Sequence, residues 1–405
     1  MKTSSIPWLV QTLAGSCALG LGLGLVRFDF AVVGRLMLHD GAFTAESLGQ
    51  LSSLNLAGYL LGCAHHAQLR KPEDRRLVLW VSVVLVVLSL GFEAFSNTFT
   101  IHAVWRVLAG WSAGHLMSGI PGIATATAPK HRRRRAASLV MAGAGSGALL
   151  GSFAIALLAP ESAHLAWLVL MAIGLALAFP IGWLLTKAFP QVDQQLQPPS
   201  PTGKASTPPH REGFRLSLPL VALVMAYFFV GAGQIPVVLY EPLRVSEKLG
   251  ADPLLSSASL SILGFGCSFG ALLAASFPIG WSTRWLLPII AFVGLIGNSL
   301  FLVSESIEGL AIATFFVGAW IWLNTSLTFH RLSEMVPASI HGQTWALTTM
   351  IAGVGASLFS FVTSPLANSQ MDKLIQLGIA VMLIHLAMDL LQIRSKPEPK
   401  YAEKT

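Results

Sequence analysis

The chain has 405 residues, of which 54% are hydrophobic and only 11% are charged, and its mean hydropathy is +0.66. Soluble domains carry about a quarter charged residues, so this composition excludes an ordinary soluble protein and predicts an integral membrane protein. The formal net charge of +7 does not indicate nucleic-acid binding, because the basic residues gather in short loops between apolar segments, where they meet anionic lipid headgroups.

Apolar runs long enough to cross a hydrocarbon core of about 30 Å as helices recur along the whole chain. Twelve are predicted, near residues 7–33, 47–69, 77–96, 99–127, 136–159, 165–187, 216–240, 254–278, 285–304, 307–329, 341–366 and 372–393. The first run is much longer than the apolar core of a secretory signal, so we expect it to remain as the first span. The sequence therefore predicts an all-α integral membrane protein with twelve transmembrane helices.

The first span contains two charged residues, Arg27 and Asp29, within the stretch GLGLVRFDF. A charge at the bilayer centre costs roughly 2.5 to 3.5 kcal/mol on insertion scales, so a retained one usually faces a wet cavity or a partner. Two residues apart on a helix is about 200° around it, so the two side chains cannot share one face. We predict that Arg27 attracts an anionic group and that Asp29 takes up and releases a proton. The alternative is that both lie near the outer headgroups.

Further titratable residues lie in the second and fourth spans. His65 and His66, near the end of the second span, are interpreted as interfacial residues. Arg106 lies in the outer third of the fourth span, where an ion pair with Asp29 is geometrically plausible. His115, nine residues further on, is a candidate for proton coupling, with a hydrogen-bonded structural histidine as the alternative.

The loops after the second and fourth spans are strongly basic, whereas the loops after the first, third and fifth spans carry almost no lysine or arginine. The two basic loops read RKPEDRR (70–76) and PKHRRRR (129–135). Because basic loops remain on the cytoplasmic side, both termini are predicted to face the cytoplasm.

A segment rich in Pro, Gln and Ser separates the sixth and seventh spans and predicts a flexible cytoplasmic linker over residues 188–214. It divides the chain into an N-terminal six-helix bundle, residues 1–187, and a C-terminal six-helix bundle with a cytoplasmic tail, residues 215–405. Short stretches repeat at nearly one offset: AGAG (142–145) with AGVG (352–355), and LAGW (108–111) with VGAW (317–320). Two similar bundles indicate a transporter-like architecture with a site between them at the bilayer midplane.

Polar residues at helical spacing suggest a pocket in the second half of the chain. Tyr227 and Gln234 share a stripe in the seventh span, and Trp320 and Asn324 share one in the tenth. Aromatic walls with a few amides are typical of small-molecule pockets. Hydrogen bonding between helices is the alternative for both stripes.

Several chemistries find no support in the sequence. The cysteines, Cys17, Cys63 and Cys267, lack disulfide or metal-ligand spacing, and no nucleophile or phosphate-binding motif is present. We therefore predict that the protein is not an enzyme and uses no cofactor or metal. Without a phosphate-binding loop, energy for transport would have to come from an ion gradient.

Six stretches resemble the major facilitator superfamily, and within it the bacterial YbfB/YjiJ branch. They are GLVRF (24–28), NLAGYLLG (55–62), RVLAG (106–110), SLVMAGAGSG (138–147), AYFFVGAGQIP (226–236) and TWALTTMIAGVGA (344–356). The resemblance implies two pseudosymmetric bundles in the bacterial cytoplasmic (inner) membrane that rock to expose a central site to each side in turn.

The resemblance also bears on single residues. Arg106 and Gly110 match the RxxxG motif of the fourth helix, whose arginine is associated with proton coupling in many relatives. His66 stands near the position where the family's pattern between the second and third helices has an acid, which puts the usual cytoplasmic charge latch in doubt. Asp29 falls where the branch has a small neutral residue.

We therefore predict a secondary active transporter of a small organic solute, coupled to protons, with a slight preference for anionic or amphipathic substrates. Its expected partners are that solute, protons and membrane lipids, with no nucleic acid, and it is expected to be a monomer. The competing hypothesis is a membrane sensor or scaffold that keeps a transporter fold and signals through the linker or the RRRR loop.

Overall fold

In a computed structural model of the chain, the described residues are 7–69, 71–129, 132–159, 161–189, 217–250, 253–278, 281–336 and 338–394. Within these ranges the chain forms twelve long helices, which confirms the predicted all-α class. They are α1 Trp8–His39, α2 Ala45–Gln68, α3 Pro72–Ala94, α4 Phe99–Thr125, α5 Arg133–Leu158, α6 Ala163–Trp183, α7 Leu218–Leu249, α8 Pro253–Ser276, α9 Thr283–Val303, α10 Ile307–Met335, α11 Ala338–Thr363 and α12 Met371–Gln392.

Short irregular turns extend two of these helices: a π-helical turn, Leu184–Ala188, follows α6, and a 3₁₀ turn, Ser364–Asn368, follows α11. We call α1–α6 the first half and α7–α12 the second half. The end of the bundle that holds residues 7 and 394 is the proximal end, and the opposite end is the distal end.

Ten of the described helical segments are long and apolar enough to cross a membrane by length and composition. The helices α2 and α4 fall outside this group, because they carry polar and charged residues along their length. Several of these, including Asn55, Arg106 and His115, are buried against other helices. Hydropathy alone therefore identifies these two helices less clearly than the other ten.

Two helices, α1 and α7, are longer than predicted and are interrupted near their middle. In α1 a π-helical segment, Gly20–Phe28, separates two α-helical segments, and α7 breaks at Gln234. The predicted ends at residues 33 and 240 are wrong, because hydropathy falls at the following charged residues while the helical backbone continues. Arg27 consequently lies twelve residues before the end of α1, about 18 Å at 1.5 Å per residue.

Glycines allow the helices of the first half to approach closely. A Cβ atom on Gly110 of α4 would overlap the backbone oxygen of Asn55 in α2, and one on Gly147 of α5 would overlap the backbone of Gly20 in α1. Contacts this short require a hydrogen in place of a side chain. They fix the irregular segment of α1 directly against α5.

The two halves meet along α5 with α8 and along α2 with α11. The hydroxyl groups of Ser152 and Ser261 lie 3.0 Å apart, and Ser53 donates to the carbonyl of Ser357 at 2.9 Å. Nearer the distal end, Ser360 donates to the carbonyl of Gly49 at 2.9 Å. Most of the predicted linker lies outside the described residues, so the division into two bundles at residues 188–214 stays a prediction.

Candidate functional site

A small cavity lies at the centre of the molecule, between the two halves. It encloses about 40 Å³ that water-sized molecules can occupy. Its lining comes from α1, α2, α4, α7, α10 and α11: Leu23, Arg27, Phe28, Tyr59, Met117, Tyr227, Val230, Gly231, Gln234, Ile321, Trp322, Thr325, Thr349, Ala352 and Gly353. Since one water needs roughly 10 to 15 Å³, the cavity holds a few waters and no drug-sized ligand. The structure is therefore a closed state of the cavity.

Arg27 reaches this cavity from the π-helical segment of α1. A π-helix carries an extra residue in each turn, and such segments are frequent at functional sites. The guanidinium carbon of Arg27 lies 5.7 Å from the ring centroid of Phe28, and the cavity leaves the side chain partly accessible. No carboxylate in the described part of the chain forms an ion pair with Arg27.

The second half supplies the facing wall. Tyr227 of α7 donates a hydrogen bond from its hydroxyl to Thr325 of α10 at 3.1 Å, and its ring centroid lies 5.7 Å from that of Trp345. Gln234 stands at the break in α7, and its amide nitrogen donates to the carbonyls of Val230 and Gly231 at 3.4 and 3.3 Å. The aromatic ring of Tyr227 and the amide of Gln234 thus line the cavity together with the guanidinium of Arg27.

Arg106 does not lie in the cavity, and the ion pair predicted between Arg106 and Asp29 is wrong. Arg106 instead forms a two-point ion pair with Glu93 of α3, with Nε to Oε1 at 2.6 Å, and both side chains are fully buried. Its Nη1 also donates to the carbonyl of Val26 in α1 at 2.7 Å. The charge of Arg106 is therefore neutralised inside the first half.

The surroundings of this ion pair are aromatic. The guanidinium carbon of Arg106 lies 4.8 Å from the ring centroid of Phe30 and 5.1 Å from that of Trp167. His102 of α4 stands beside the carboxylate, with Nδ1 3.5 Å from Glu93 Oε1. Glu93 went unnoticed in the sequence, although a single acid near the end of an otherwise apolar span is a recognisable signal of a buried ion pair.

Asp29 points away from the cavity toward α5. Its side chain is fully buried, and neither carboxyl oxygen has a hydrogen-bond partner among the described residues. A Cβ atom built on Gly151 would overlap Asp29 Oδ2, so the carboxyl group occupies the space that this glycine leaves open. Arg27 and Asp29 diverge as the sequence predicted, and only Arg27 reaches the cavity.

His115 lies in a row of three histidines near the proximal end, outside the cavity. Its Nε2 lies 3.1 Å from His65 Nδ1, and its Nδ1 lies 3.1 Å from His66 Nδ1. The ring of Trp111 packs against it, with centroids 4.3 Å apart. The interpretation of His65 and His66 as interfacial residues misses this contact, because the third ring comes from another helix.

Trp320 and Asn324 lie inside the second half, away from the cavity. The Asn324 amide lies 3.4 Å from Nε2 of His385 in α12, and the ring of Trp320 packs 5.7 Å from the same imidazole. Oδ2 of Asp389 lies 3.0 Å from that imidazole nitrogen. The cavity face of α10 instead carries Trp322, which the sequence stripe did not include.

The cavity thus contains Arg27, Tyr227 and Gln234 among the predicted site residues, and it adds others. The additional polar side chains are those of Tyr59, Trp322, Thr325 and Thr349, and Phe28 adds an aromatic ring. Tyr59 lies in the NLAGYLLG stretch, and Thr349 lies in the TWALTTMIAGVGA stretch. Each of the four polar residues could be recognised in the sequence as a polar residue within a span. The sequence did not show toward which neighbouring helix or cavity its side chain points.

Comparison with known proteins places these features in a family. A family profile described as "Uncharacterised MFS-type transporter YbfB" matches residues 19–390. The quinolone resistance protein NorA of Staphylococcus aureus (strain MRSA252) is 26% identical over 131 residues, which are 32% of this chain and 33% of NorA. The benzoate transport protein of Acinetobacter baylyi is 23% identical over 185 residues, which are 44% of this chain and 39% of that protein. The matches thus span a third to two fifths of the length of these relatives.

Solved structures share the fold at low sequence identity. A bacterial homologue of the human lysosomal transporter Spinster superposes with a TM-score of 0.69 at 13% identity, covering 97% of this chain and 98% of that one. A D-xylose–proton symporter gives 0.66 at 18% identity, covering 98% of each chain. The nucleoside transporter NupG gives 0.68 at 12% identity, covering 94% and 99%.

The matching family and these structures are transporters rather than enzymes, and they confirm the predicted twelve-helix fold. The chain belongs to the YbfB-type family of the major facilitator superfamily, as a multi-pass membrane protein.

Proposed function

We propose that the protein is a secondary active carrier that moves a small organic solute by alternating access, that it is coupled to protons, and that it favours anionic or amphipathic substrates. The observation that carries this proposal is the position of Arg27. It lines the central cavity without a carboxylate partner among the described residues, whereas Arg106, Arg244 and Arg331 all pair with acids.

An unpaired cation between apolar helices is costly, and an anionic substrate group offsets that cost. Tyr59, Tyr227 and Trp322 provide flat apolar faces beside Arg27, and these suit the hydrophobic part of an amphipathic solute. Benzoate, the solute in the name of one relative, combines a carboxylate with an aromatic ring. An aromatic carboxylate therefore fits the chemistry of this cavity.

Proton coupling is supported by Asp29. A buried carboxylate without hydrogen bonds is strongly disfavoured by desolvation, and protonation removes most of that cost. Water that enters when the helices separate would stabilise the charged form. Asp29 can thus respond to the conformation of the protein without touching the substrate.

Alternating access is supported by the size of the cavity. Ligand pockets typically have volumes of about 300 to 1,000 Å³, far above the 40 Å³ found in this closed state. The distal ends of α2 and α11 are joined by hydrogen bonds between the halves. A solute can enter only if the halves separate at one end.

We further propose that the proximal end faces the cytoplasm of a bacterium and that the protein resides in the inner membrane as a monomer among lipids. The helix ends that flank the basic loops 70–76 and 129–135 lie at this end and support the orientation. No binding of nucleic acid is proposed, because these charges are explained by lipid headgroups.

Transport into proteoliposomes tests the proposal. A panel of radiolabelled small carboxylates that includes benzoate is offered with and without an imposed pH gradient. Arg27→Ala is expected to reduce gradient-driven uptake of the accepted solute at least about tenfold, while Arg27→Lys retains part of it, because an ion pair contributes about 1.4 kcal/mol or more at a desolvated site.

The matched control is Arg135→Ala, which removes an exposed cation from the first turn of α5 and should leave uptake unchanged. Normal uptake in Arg27→Ala would show that the cavity cation does not bind substrate. Absence of flux for every solute, in wild-type protein shown to be folded, would favour the sensor or scaffold hypothesis.

A further inference from the structure

A second buried carboxyl group lies in α7, the helix that corresponds to α1 in the other half. Glu241 lies in the distal segment of α7 and is 1% exposed. It follows Asp29 by 212 residues, close to the offset of 210 residues between AGAG and AGVG. Both residues follow the interruption of their helix.

The two carboxyl groups lie at a similar depth. Asp29 is ten residues before the distal end of α1, and Glu241 is eight residues before the distal end of α7. At 1.5 Å per residue these positions are about 15 and 12 Å below the distal helix ends. Each group is thus buried within the protein, on the distal side of the cavity.

Both carboxyl groups lie in or next to helix segments that meet between the halves, because the distal segment of α1 packs against the distal segment of α7. Asp29 occupies the space beside Gly151 in α5, and Glu241 accepts a hydrogen bond from Ser259 of α8 at 3.0 Å. The next residue along α5, Ser152, lies 3.0 Å from Ser261 of α8, hydroxyl to hydroxyl. Asp29 thus packs against α5 and Glu241 against α8, the two helices that this bond joins, with Ser259 and Ser261 on opposite faces of α8.

The charged groups nearby do not neutralise these carboxylates. Residues 147–158 of α5 and 253–266 of α8 contain no ionisable side chain. Arg244, one turn beyond Glu241, pairs with Asp372 at 2.6 Å and donates to the carbonyl of Leu302, and Arg27 lines the cavity. Arg106, whose guanidinium carbon lies 4.8 Å from the ring centroid of Phe30, is already paired with Glu93. Further ionisable residues on the neighbouring elements include Arg35, which is buried further along α1, and Glu247, Lys248, Glu305, Glu308 and Lys373, which are exposed.

We propose that Glu241 is a second proton-binding site, matched to Asp29 across the two halves, and that both carboxylates must take up a proton for the distal ends of α1 and α7 to close against each other. Each site binds one proton, which forms one O–H bond and removes one negative charge. This inference rests on the proton coupling proposed above.

The physical reason is solvation. In the closed structure neither carboxyl group has access to water, so a negative charge there keeps its full desolvation cost. Separation of the distal segments of α1 and α7 admits water to both groups, because these packed segments carry or adjoin them. Proton release and distal opening are consequently linked, with two protons for each opening event.

Distance measurements between spin labels in the full-length protein test the link. Labels at Asn97 and Glu308, exposed at the distal end of the first and second halves, report opening in nanodiscs across a range of pH, after the three cysteines are replaced by serine. Two linked protons change the ratio of open to closed protein by about 100-fold per pH unit, and one proton by about tenfold.

We expect the wild type to show the steeper dependence. Glu241→Gln and Asp29→Asn should each reduce it to about tenfold per pH unit, and the double variant should not respond to pH. The matched control is Glu247→Gln, an exposed acid six residues further along α7, which should keep the wild-type steepness. If the ratio of open to closed protein depends on pH as steeply in Glu241→Gln as in the wild type, the proposal is overturned.

Infrared spectroscopy provides a reading that does not depend on the folding of Glu241→Gln. The carbonyl stretch of protonated carboxyl groups should disappear from the wild type as pH rises, and Asp29→Asn should retain about half of that change. If Asp29→Asn retains none, Glu241 does not bind the second proton and the inference fails, although proton coupling through Asp29 still holds. A wild type without any pH response would instead refute the proton coupling itself.

Discussion

The ion pair between Glu93 and Arg106 makes a quantitative prediction about stability. Glu93→Gln leaves the buried guanidinium of Arg106 without its counter-charge, while the size of the side chain hardly changes. Removing one member of a buried ion pair costs about 3 to 5 kcal/mol. Arg106 keeps its bond to the carbonyl of Val26 and its contacts with two aromatic rings, so the lower end of that range applies.

We therefore expect Glu93→Gln to lower the free energy of unfolding by about 3 kcal/mol, roughly a 150-fold change in the ratio of folded to unfolded protein. Equilibrium unfolding in mixed detergent micelles, followed by tryptophan fluorescence, measures it. Glu305→Gln is the control, because the carboxylate of Glu305 is 82% exposed and lies 3.7 Å from Lys248. An exposed pair of this kind contributes at most about 1 kcal/mol.

The double variant Glu93→Gln with Arg106→Gln identifies the cause. If the unpaired charge is responsible, the double variant should be more stable than the sum of the two single changes predicts, by about 0.5 to 3 kcal/mol. Equal stability of Glu93→Gln and Glu305→Gln, or simple additivity in the double variant, would refute the reasoning.

Two further predictions concern the cavity and the contact of α1 with α5. Trp322→Ala should weaken binding of the carboxylate that the uptake assay accepts, measured by equilibrium dialysis, by about fivefold, since an aromatic contact contributes around 1 kcal/mol. Trp320→Ala should leave binding by the folded fraction unchanged but lower the free energy of unfolding by about 3 to 5 kcal/mol. If both substitutions weaken binding equally, the assignment of Trp322 to the cavity face of α10 and of Trp320 to its other face is wrong. Gly151→Ala should cost about 1 to 3 kcal/mol because its Cβ overlaps Asp29 Oδ2, and adding Asp29→Ala should recover part of the loss. Gly122→Ala, where a Cβ meets nothing within 4 Å, should not destabilise the protein, and similar losses at both glycines would argue against the overlap.

The sequence predicted the number of helices and the family, and it singled out Arg27, because hydropathy and motifs are properties of consecutive residues. The ends of α1 and α7 were predicted too early, because each helix continues through a charged residue, Arg35 in α1 and Glu241 in α7. The sequence also showed that Arg27 and Asp29 diverge, since that follows from helical geometry alone.

The partners of the polar residues were decided by the tertiary structure. Trp320 and Trp322 are two residues apart and equally plausible in a stripe, yet only the packing of α10 against α9 and α12 shows which of them faces the cavity. In the same way, Glu93 of α3 forms an ion pair with Arg106 of α4, and the carboxyl group of Asp29 packs beside Gly151 of α5. Local sequence fixes that a helix crosses the membrane, but its rotation depends on the shapes and charges of helices far away in the chain.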